Sequence, residues 1–167
     1  SIVYSVDDNF TTNFMKLLNI LPIMPLYYGG KTKFTPIHVS DFTNIIFEIV
    51  QKNISEKTIE CIGPEVFTFK EILQTILKSI NKKRLLLSLP LPLAKINARL
   101  FQLMPKPLLT IDQLKLLKYN NVTSKKYETN FDIKIDANKK FENEIKKYSY
   151  NWTSGGQFSK RKIDNLN

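Results

Sequence analysis

This chain of 167 residues contains only a few short extended segments, and this feature constrains its possible folds more than any other. Apolar, β-branched runs predict strands at residues 2–4, 33–39, 58–62 and 84–87, separated by longer stretches with helical spacing. Strands this short and this few do not form a stable sheet on their own. We therefore expect them to join a sheet that another segment of polypeptide supplies.

Helices are predicted to make up most of the remainder. Asp8 begins the first, at about residues 8–20, and Ser40 or Asp41 is expected to cap the second. The second helix is predicted to carry its apolar residues on one face: Phe42, Ile45, Ile46, Ile49 and Val50. The others are a helix opened by a Thr68–Glu71 capping box, one from Pro92 to about Met104, a short one after Thr110, and one over residues 137–148.

The net charge of +10 does not by itself predict a nucleic-acid partner. Only three of the 25 basic residues are arginine, the side chain that suits bidentate contacts to bases and phosphates. A lysine-rich composition is typical of an AT-rich genome, and we predict no nucleic-acid binding. Residues 115–167 carry 12 basic and 6 acidic side chains, which favours weak attraction to an anionic membrane surface.

Few residues suggest a catalytic or ligand-binding role. Gly29-Gly30-Lys31-Thr32 resembles the end of a P-loop, but Pro25 stands where that motif needs glycine, so a turn is favoured. His38 and Asp41 fit either proton transfer or a structural helix start, in which Asp41 caps and His38 donates to backbone; the second reading is favoured. Cys61, the one cysteine, is predicted to be a buried, inert thiol.

Several segments together resemble the extended short-chain dehydrogenases, and in particular the atypical branch that contains the NAD(P)-binding accessory subunit of NADH–ubiquinone oxidoreductase and its bacterial homologues. The segments that carry the resemblance are Ser1-Ile2-Val3-Tyr4, Asp8-Asn9-Phe10, the run from Gly29 to Asp41, the run from Gly63 to Ile72, Thr110 to Leu114, Asn120-Asn121-Val122 and Gly155-Gly156-Gln157-Phe158. Two departures are Ser5, where the family has glycine, and His38, where many relatives have tyrosine.

The resemblance implies an α/β fold: the C-terminal lobe of an extended, Rossmann-like protein, helix-rich with a few short strands. Residues 1–6 would be a late strand of an incomplete Rossmann sheet, 7–122 a substrate-lobe-like region, and 123–167 a basic tail with a helix. The resemblance places the Gly-rich cofactor loop and the catalytic Tyr-x-x-x-Lys pair upstream of Ser1, outside this chain. We expect the chain to be a C-terminal half whose Rossmann half lies upstream.

By position, the resemblance places Ser1, Ile2 and Val3 beside the nicotinamide end of a bound NAD or NADP. It places Tyr4, Lys33, Phe34 and His38 at the substrate cleft. No catalytic or metal-binding residue is predicted, and this chain alone is expected to bind the cofactor weakly or not at all. The implied partners are the missing Rossmann half, subunits of respiratory complex I, and a membrane surface.

The resemblance implies a structural or assembly role in NADH–ubiquinone oxidoreductase, in the cytoplasm or peripheral on the inner membrane of a bacterium. Two alternatives remain open at this point. One is the substrate lobe of an active nucleotide-sugar epimerase, dehydratase or reductase, and the other is an inactive product of a split gene. Whether the protein is an enzyme is left undecided, because the residues that would carry catalysis are absent from the chain.

Overall fold

The structure, a computed structural model, describes residues 1–90 and 115–153. The described residues form a mixed α/β fold, as predicted, with four helices and short strands. The helices are α1 (Thr11–Ile20), α2 (Val39–Gln51), α3 (Phe69–Ser79) and α4 (Phe141–Tyr148), with 3₁₀ turns at Tyr27–Gly30 and Ser149–Trp152. The strands are β1 (Val3–Tyr4), β2 (Ile23–Leu26), β3 (Lys33–Phe34), β4 (Ile37–His38), β5 (Ile59–Glu60), β6 (Phe67–Thr68), β7 (Leu85–Ser88) and β8 (Glu128–Thr129).

Three predicted features fall outside the described residues: the Pro92–Met104 helix, the start of the helix after Thr110, and the closing Gly155–Phe158 segment. Trp152, which precedes that segment, packs against the main core of the chain itself. No helix in the described ranges is both long and apolar enough to cross a membrane.

The strands pair two by two. β1 runs parallel to β4, β2 parallel to β7, β5 parallel to β8, and β3 antiparallel to β6. The prediction that the strands are few and short is therefore confirmed. No larger sheet forms among residues 1–90 and 115–153.

The main core lies between α1, α3 and α4. It is built from the apolar faces that the helical spacing predicted, with Leu18, Ile72, Ile76 and Ile145 fully buried. A smaller core joins α2 to the segment at residues 133–137 through Ile45 and Ile135. The larger of the two cores holds the elements that frame the candidate site.

Local hydrogen bonds start α1 and α3 as the sequence predicts. The Asp8 carboxylate accepts hydrogen bonds from the backbone N–H groups of Phe10 and Thr11. The Thr68 hydroxyl accepts from the backbone N–H of Glu71, and the Glu71 carboxylate accepts from the backbone N–H of Thr68, at 3.2 and 2.7 Å. This reciprocal pair is the predicted capping box, and it satisfies two donors that the first helical turn leaves unpaired.

The start of α2 differs from the prediction, because the helix begins at Val39 and its N-cap residue is His38. The Nδ1 atom of His38 accepts from the backbone N–H of Ser40 at 3.3 Å, instead of donating to backbone. Ser40 and Asp41 already lie in the first turn and cap nothing. The Asp41 carboxylate instead accepts from the backbone N–H of Lys139, at 2.8 Å, and so ties α2 to the segment before α4.

The predicted apolar face of α2 is largely exposed in the described structure. Ile45 is buried, but Ile46 and Val50 are 46% and 68% exposed, and Phe47 beside them is 57% exposed. The segment at residues 133–137 covers only the side of the helix that carries Ile45. Phe42, Ile45 and Ile49 of the predicted face therefore pack in the smaller core, while no described element covers Ile46 and Val50.

The glycine pair before β3 forms a turn and not a P-loop. Tyr28, Gly29 and Gly30 all have positive φ angles, of 50°, 67° and 68°. Two consecutive residues in this left-handed region favour glycine, which has no Cβ to clash with the backbone. The chain then continues as the extended strand β3 instead of a helix, as predicted.

Candidate functional site

The strand pair β1–β4 places the predicted site residues at its two ends. Tyr4 and His38 are partners in the parallel register, and each is the last residue of its strand. In parallel sheets, ligands commonly bind beyond the carboxyl ends of the strands. At the opposite end, Ile2 and Phe34 line a cleft. The structure therefore divides the predicted residues between two places instead of bringing all of them to one.

At the carboxyl end, Tyr4 is fully buried beneath aromatic neighbours. Its ring makes edge-to-face contacts with His38 and Phe141, at centroid distances of 5.2 and 4.9 Å. Its hydroxyl donates to the carbonyl oxygen of Lys139 at 3.4 Å. Burial, together with the negative charge of Glu144, raises the pKa of Tyr4 well above its ordinary value. Tyr4 is therefore a packed, protonated core residue with no open face toward a substrate.

His38 meets the first turn of α2 through its Nδ1 atom. This atom lies 2.7 Å from the Ser40 hydroxyl oxygen and 3.3 Å from the Ser40 backbone nitrogen. Nε2 is 3.9 Å from a carboxylate oxygen of Glu144, which is too long for a hydrogen bond. Burial lowers the pKa of His38, and Glu144 and Asp41 oppose this shift while Lys139 and Lys147 add to it. The observed geometry thus supports the structural reading of His38.

We expect the pH dependence of stability to report this environment. Because the folded-state pKa of His38 lies below its ordinary value, the unfolded chain binds more protons between that pKa and about 6.5. Stability should therefore rise with pH across this window and fall as the pH drops through it. Chemical denaturation at several pH values measures the slope, and NMR titration of the single histidine gives the pKa directly.

The control for this prediction is His38→Asn, which keeps a side-chain acceptor at the N-cap but cannot titrate. The variant should lose the pH dependence of stability between the folded-state pKa of His38 and about 6.5. An unchanged slope in the variant, or a folded-state pKa above the ordinary value, would contradict the assignment.

Glu144 is a buried acidic residue that sequence reasoning did not single out. It is 8% exposed, and its carboxylate accepts from the Lys147 ammonium at 2.7 Å. It lies on the buried face of α4 with Phe141, Ile145 and Tyr148. The signal was present in the sequence, because residue 144 is three after Phe141 and four before Tyr148, which is helical spacing on the same face.

The cleft at the other end of β1 has a volume of about 340 Å³. Its floor is apolar and is formed by three buried side chains. Phe14, Phe34 and Leu117 are only 5–6% exposed. Its remaining lining is formed by aliphatic, aromatic and amide side chains: Ile2, Asn9, Phe10, Asn13, Leu116, Tyr119, Asn120 and Asn121. None of the lining residues in the part of the chain that the structure describes is charged, so this part of the lining favours an uncharged group.

Hydrogen bonds from Ser1 and Lys33 fix one edge of this cleft, at Asn120 and Asn121. The Ser1 hydroxyl donates to the Asn121 carbonyl at 2.7 Å and accepts from the Thr35 N–H at 3.0 Å. The Lys33 N–H donates to the Asn120 side-chain oxygen, and the Lys33 carbonyl accepts from the Asn121 N–H. Residues 120–121 are thereby fixed against the strands, although they lie far away in sequence.

The residues predicted to lie beside the nicotinamide end of NAD or NADP are held within the protein itself. The Ser1 hydroxyl is used as donor and acceptor within the chain, and Val3 is a 41% exposed aliphatic residue paired with Ile37. The sequence contains no glycine-rich phosphate loop. Among the described residues, no group of three or more His, Cys, Asp or Glu is arranged to hold a metal ion.

Cys61 follows strand β5 in the chain, and its side chain is half-buried. Burial raises the pKa of its thiol, which disfavours the reactive thiolate. The raised pKa supports the predicted inert thiol, although Cys61 is only partly buried and not buried as predicted.

Comparison with known proteins gives one distant relative. Over 112 residues the chain is 30% identical to the mitochondrial NADH dehydrogenase [ubiquinone] 1 alpha subcomplex subunit 9 of Arabidopsis thaliana. The aligned part is 60% of this chain and 28% of that protein, so the chain spans less than a third of the relative's length. No protein-family model matches the chain.

Proposed function

We propose that this chain is the C-terminal part of an NAD(P)-binding, short-chain-dehydrogenase-like protein with a structural or assembly role in NADH–ubiquinone oxidoreductase. The similarity to a subunit of the mitochondrial NADH dehydrogenase, over 60% of the chain, is the observation that carries the proposal. A structural role is supported by the strand-end residues Tyr4 and His38, which are packed and hydrogen-bonded within the protein.

The pairing of β1 with β4 supports this proposal. Both strands come from segments that carry the family resemblance. Their last residues, Tyr4 and His38, are 34 residues apart in sequence, yet the strands lie side by side and parallel. A parallel pair implies that the chain crosses over between the strands, as it does in Rossmann-like sheets. Under the proposal, residues 1–6 are a late strand of that sheet and residues 7–122 form most of the second lobe.

The free surfaces of α2 and β1 support an upstream Rossmann half as the partner. Among the described residues, β1 pairs only with β4, so its other edge has no partner strand. α2 packs on both strands, and its apolar residues Ile46, Phe47 and Val50 remain exposed beside them. A further parallel strand next to β1 would extend the sheet beneath α2 and cover part of this apolar surface.

The cofactor belongs to the upstream half in this proposal. NAD or NADP bound there would stabilise the assembled protein by mass action without being turned over. Ser1, Ile2 and Val3 would lie at the margin of that site, and this chain alone would bind the nucleotide weakly or not at all.

The proposal is tested by co-expressing the 167-residue chain with the polypeptide encoded directly upstream of it. We expect the two to co-purify, the pair to bind NAD or NADP, and the assembled protein to co-migrate with NADH–ubiquinone oxidoreductase in native gels. Micromolar binding of NADPH by the chain alone would contradict the account of the missing site. Co-purification without co-migration would overturn the role in the respiratory complex.

Charged substitutions on α2 locate the interface. The double variant Ile46→Glu and Val50→Glu should weaken association with the upstream half by at least about tenfold, because two apolar side chains would no longer be buried. Ile20→Glu on α1 is the matched control, since Ile20 is 73% exposed and α1 makes its contacts with α3 and β2. Equal effects of the two changes would argue against α2 as the contact surface.

A further inference from the structure

The segment at residues 115–127 has the composition of a membrane-interface surface. It contains Lys115, Lys118, Lys125 and Lys126 and no acidic residue. Three of its large apolar and aromatic side chains are turned outward, since Leu116 is 71%, Tyr119 63% and Tyr127 42% exposed, while Leu117 is buried. Tyrosine beside lysine is typical of the polar–apolar boundary of a bilayer, where the ring lies at headgroup level and the ammonium reaches the lipid anions.

Two lysines of this segment are stacked on its tyrosines. The Lys118 ammonium lies 5.5 Å from the centre of the Tyr119 ring, and the Lys126 ammonium lies 5.1 Å from that of Tyr127. Each pair presents a positive charge directly above an exposed apolar ring. The Glu60 carboxylate contacts the middle of the segment, at Thr123 and Ser124, and not its Leu116–Tyr119 end.

The cleft opens at that end of the segment, and its chemistry is layered. Phe14, Phe34 and Leu117 form a buried apolar floor, while the amides of Asn9, Asn120 and Asn121 lie exposed at the rim. Leu116 and Tyr119 line the same cleft, and Lys118 stands over Tyr119. From floor to mouth the order is therefore apolar side chains, neutral hydrogen-bonding amides, and a cation.

We propose that this cleft takes one apolar chain of an anionic membrane lipid, whose ester groups meet the asparagine rim and whose headgroup meets Lys118. The layering of the cleft matches the order of groups in such a lipid, and a volume of about 340 Å³ lies in the range of ligand sites. The exposed Leu116 and Tyr119 favour a lipid presented by a bilayer over a free amphiphile. At a bilayer both side chains would be removed from water by inserting into the membrane interface. This proposal does not depend on the one made for the respiratory complex.

The first test is flotation of the 167-residue chain with vesicles of phosphatidylcholine, with and without phosphatidylglycerol. We expect binding only to vesicles that contain phosphatidylglycerol. Lys118→Ala should lower the partition coefficient about fivefold, since one surface cation is lost. Leu116→Asn should lower it by about tenfold or more, since an inserted leucine is lost. Both side chains are exposed, so neither change should affect folding.

The second test separates occupation of the cleft from adsorption to the surface. Asn13→Phe fills the cleft but leaves Leu116, Tyr119 and Lys118 unchanged, and Asn143→Phe places the same substitution at an exposed site on α4. Only the first should reduce vesicle binding and abolish the NMR shifts that monomeric lysophosphatidylglycerol causes at Phe34 and Leu117. Circular dichroism checks that each variant is folded.

Three results would overturn the proposal. The first is equal binding to both kinds of vesicle. The second is vesicle binding that Asn13→Phe leaves unchanged, which would mean simple surface adsorption. The third is binding of the monomeric lysolipid without binding to vesicles, which would assign the cleft to a soluble amphiphile instead of a bilayer lipid.

Discussion

Replacing Gly63 with alanine is expected to destabilise the protein by about 3 kcal/mol or more. A Cβ atom at this position would lie 1.7 Å from the carbonyl oxygen of Pro36 and 2.7 Å from its carbonyl carbon. Both are backbone atoms, so no side-chain rotation can relieve the overlap. The backbone before β4 would have to move, and with it Ile37, which is fully buried and pairs with Val3.

Gly29→Ala is the matched control for this prediction. The backbone φ of Gly29 is +67°, a conformation that favours glycine. A new Cβ atom there would meet no clash, because its nearest neighbour is the Ser88 hydroxyl at 3.6 Å. The expected loss is therefore the strain of a left-handed alanine, about 1 kcal/mol. Urea denaturation of both variants measures the difference. Similar small losses at the two positions would show that the segment around Pro36 can shift at little cost.

Replacing Tyr4 with alanine should cost about 3–5 kcal/mol, whereas Tyr4→Phe should cost about 1 kcal/mol or less. The ring is fully buried and makes edge-to-face contacts with His38 and Phe141. Truncation to alanine would therefore leave a cavity where β1, β4 and α4 meet. The hydroxyl makes one long hydrogen bond, 3.4 Å, to the Lys139 carbonyl.

The comparison of these two Tyr4 variants distinguishes packing from chemistry. Thermal and urea unfolding should rank the wild type and Tyr4→Phe close together and Tyr4→Ala far below. If Tyr4→Phe were as damaging as Tyr4→Ala, the hydroxyl would have a role that the observed contacts do not explain, and the structural reading of this strand end would be wrong.

Features governed by neighbours in sequence were predictable. The Thr68–Glu71 capping box and the apolar face of α3 depend on residues three or four apart, and both are present. The cap of α2 was misassigned by two residues because Ser40 and Asp41 are intrinsically good caps, yet the extended backbone of the β4 end lets the ring of His38 reach the Ser40 N–H first.

Features that depend on distant contacts were not predictable from residue spacing. The asparagine rim of the cleft combines Asn9 with residues 120–121, and nothing in the local pattern connects them. The family resemblance placed Ile2 beside the cofactor and Phe34 with Tyr4 and His38 at the substrate cleft. The structure instead places Phe34 with Ile2 in one cleft and Tyr4 with His38 at the other end of the strands. Their separation follows from the direction of β1, which the sequence alone leaves open.

The burial of Tyr4 has a consequence for synthesis on the ribosome. Its hydroxyl partner, Lys139, lies 135 residues later in the chain, and Phe141 follows directly after. At about 5–20 residues per second, the first strand emerges roughly 7–27 s before the helix that seals it. During that interval β1 lacks its final cover, so this strand reaches its native packing only after α4 has been synthesised.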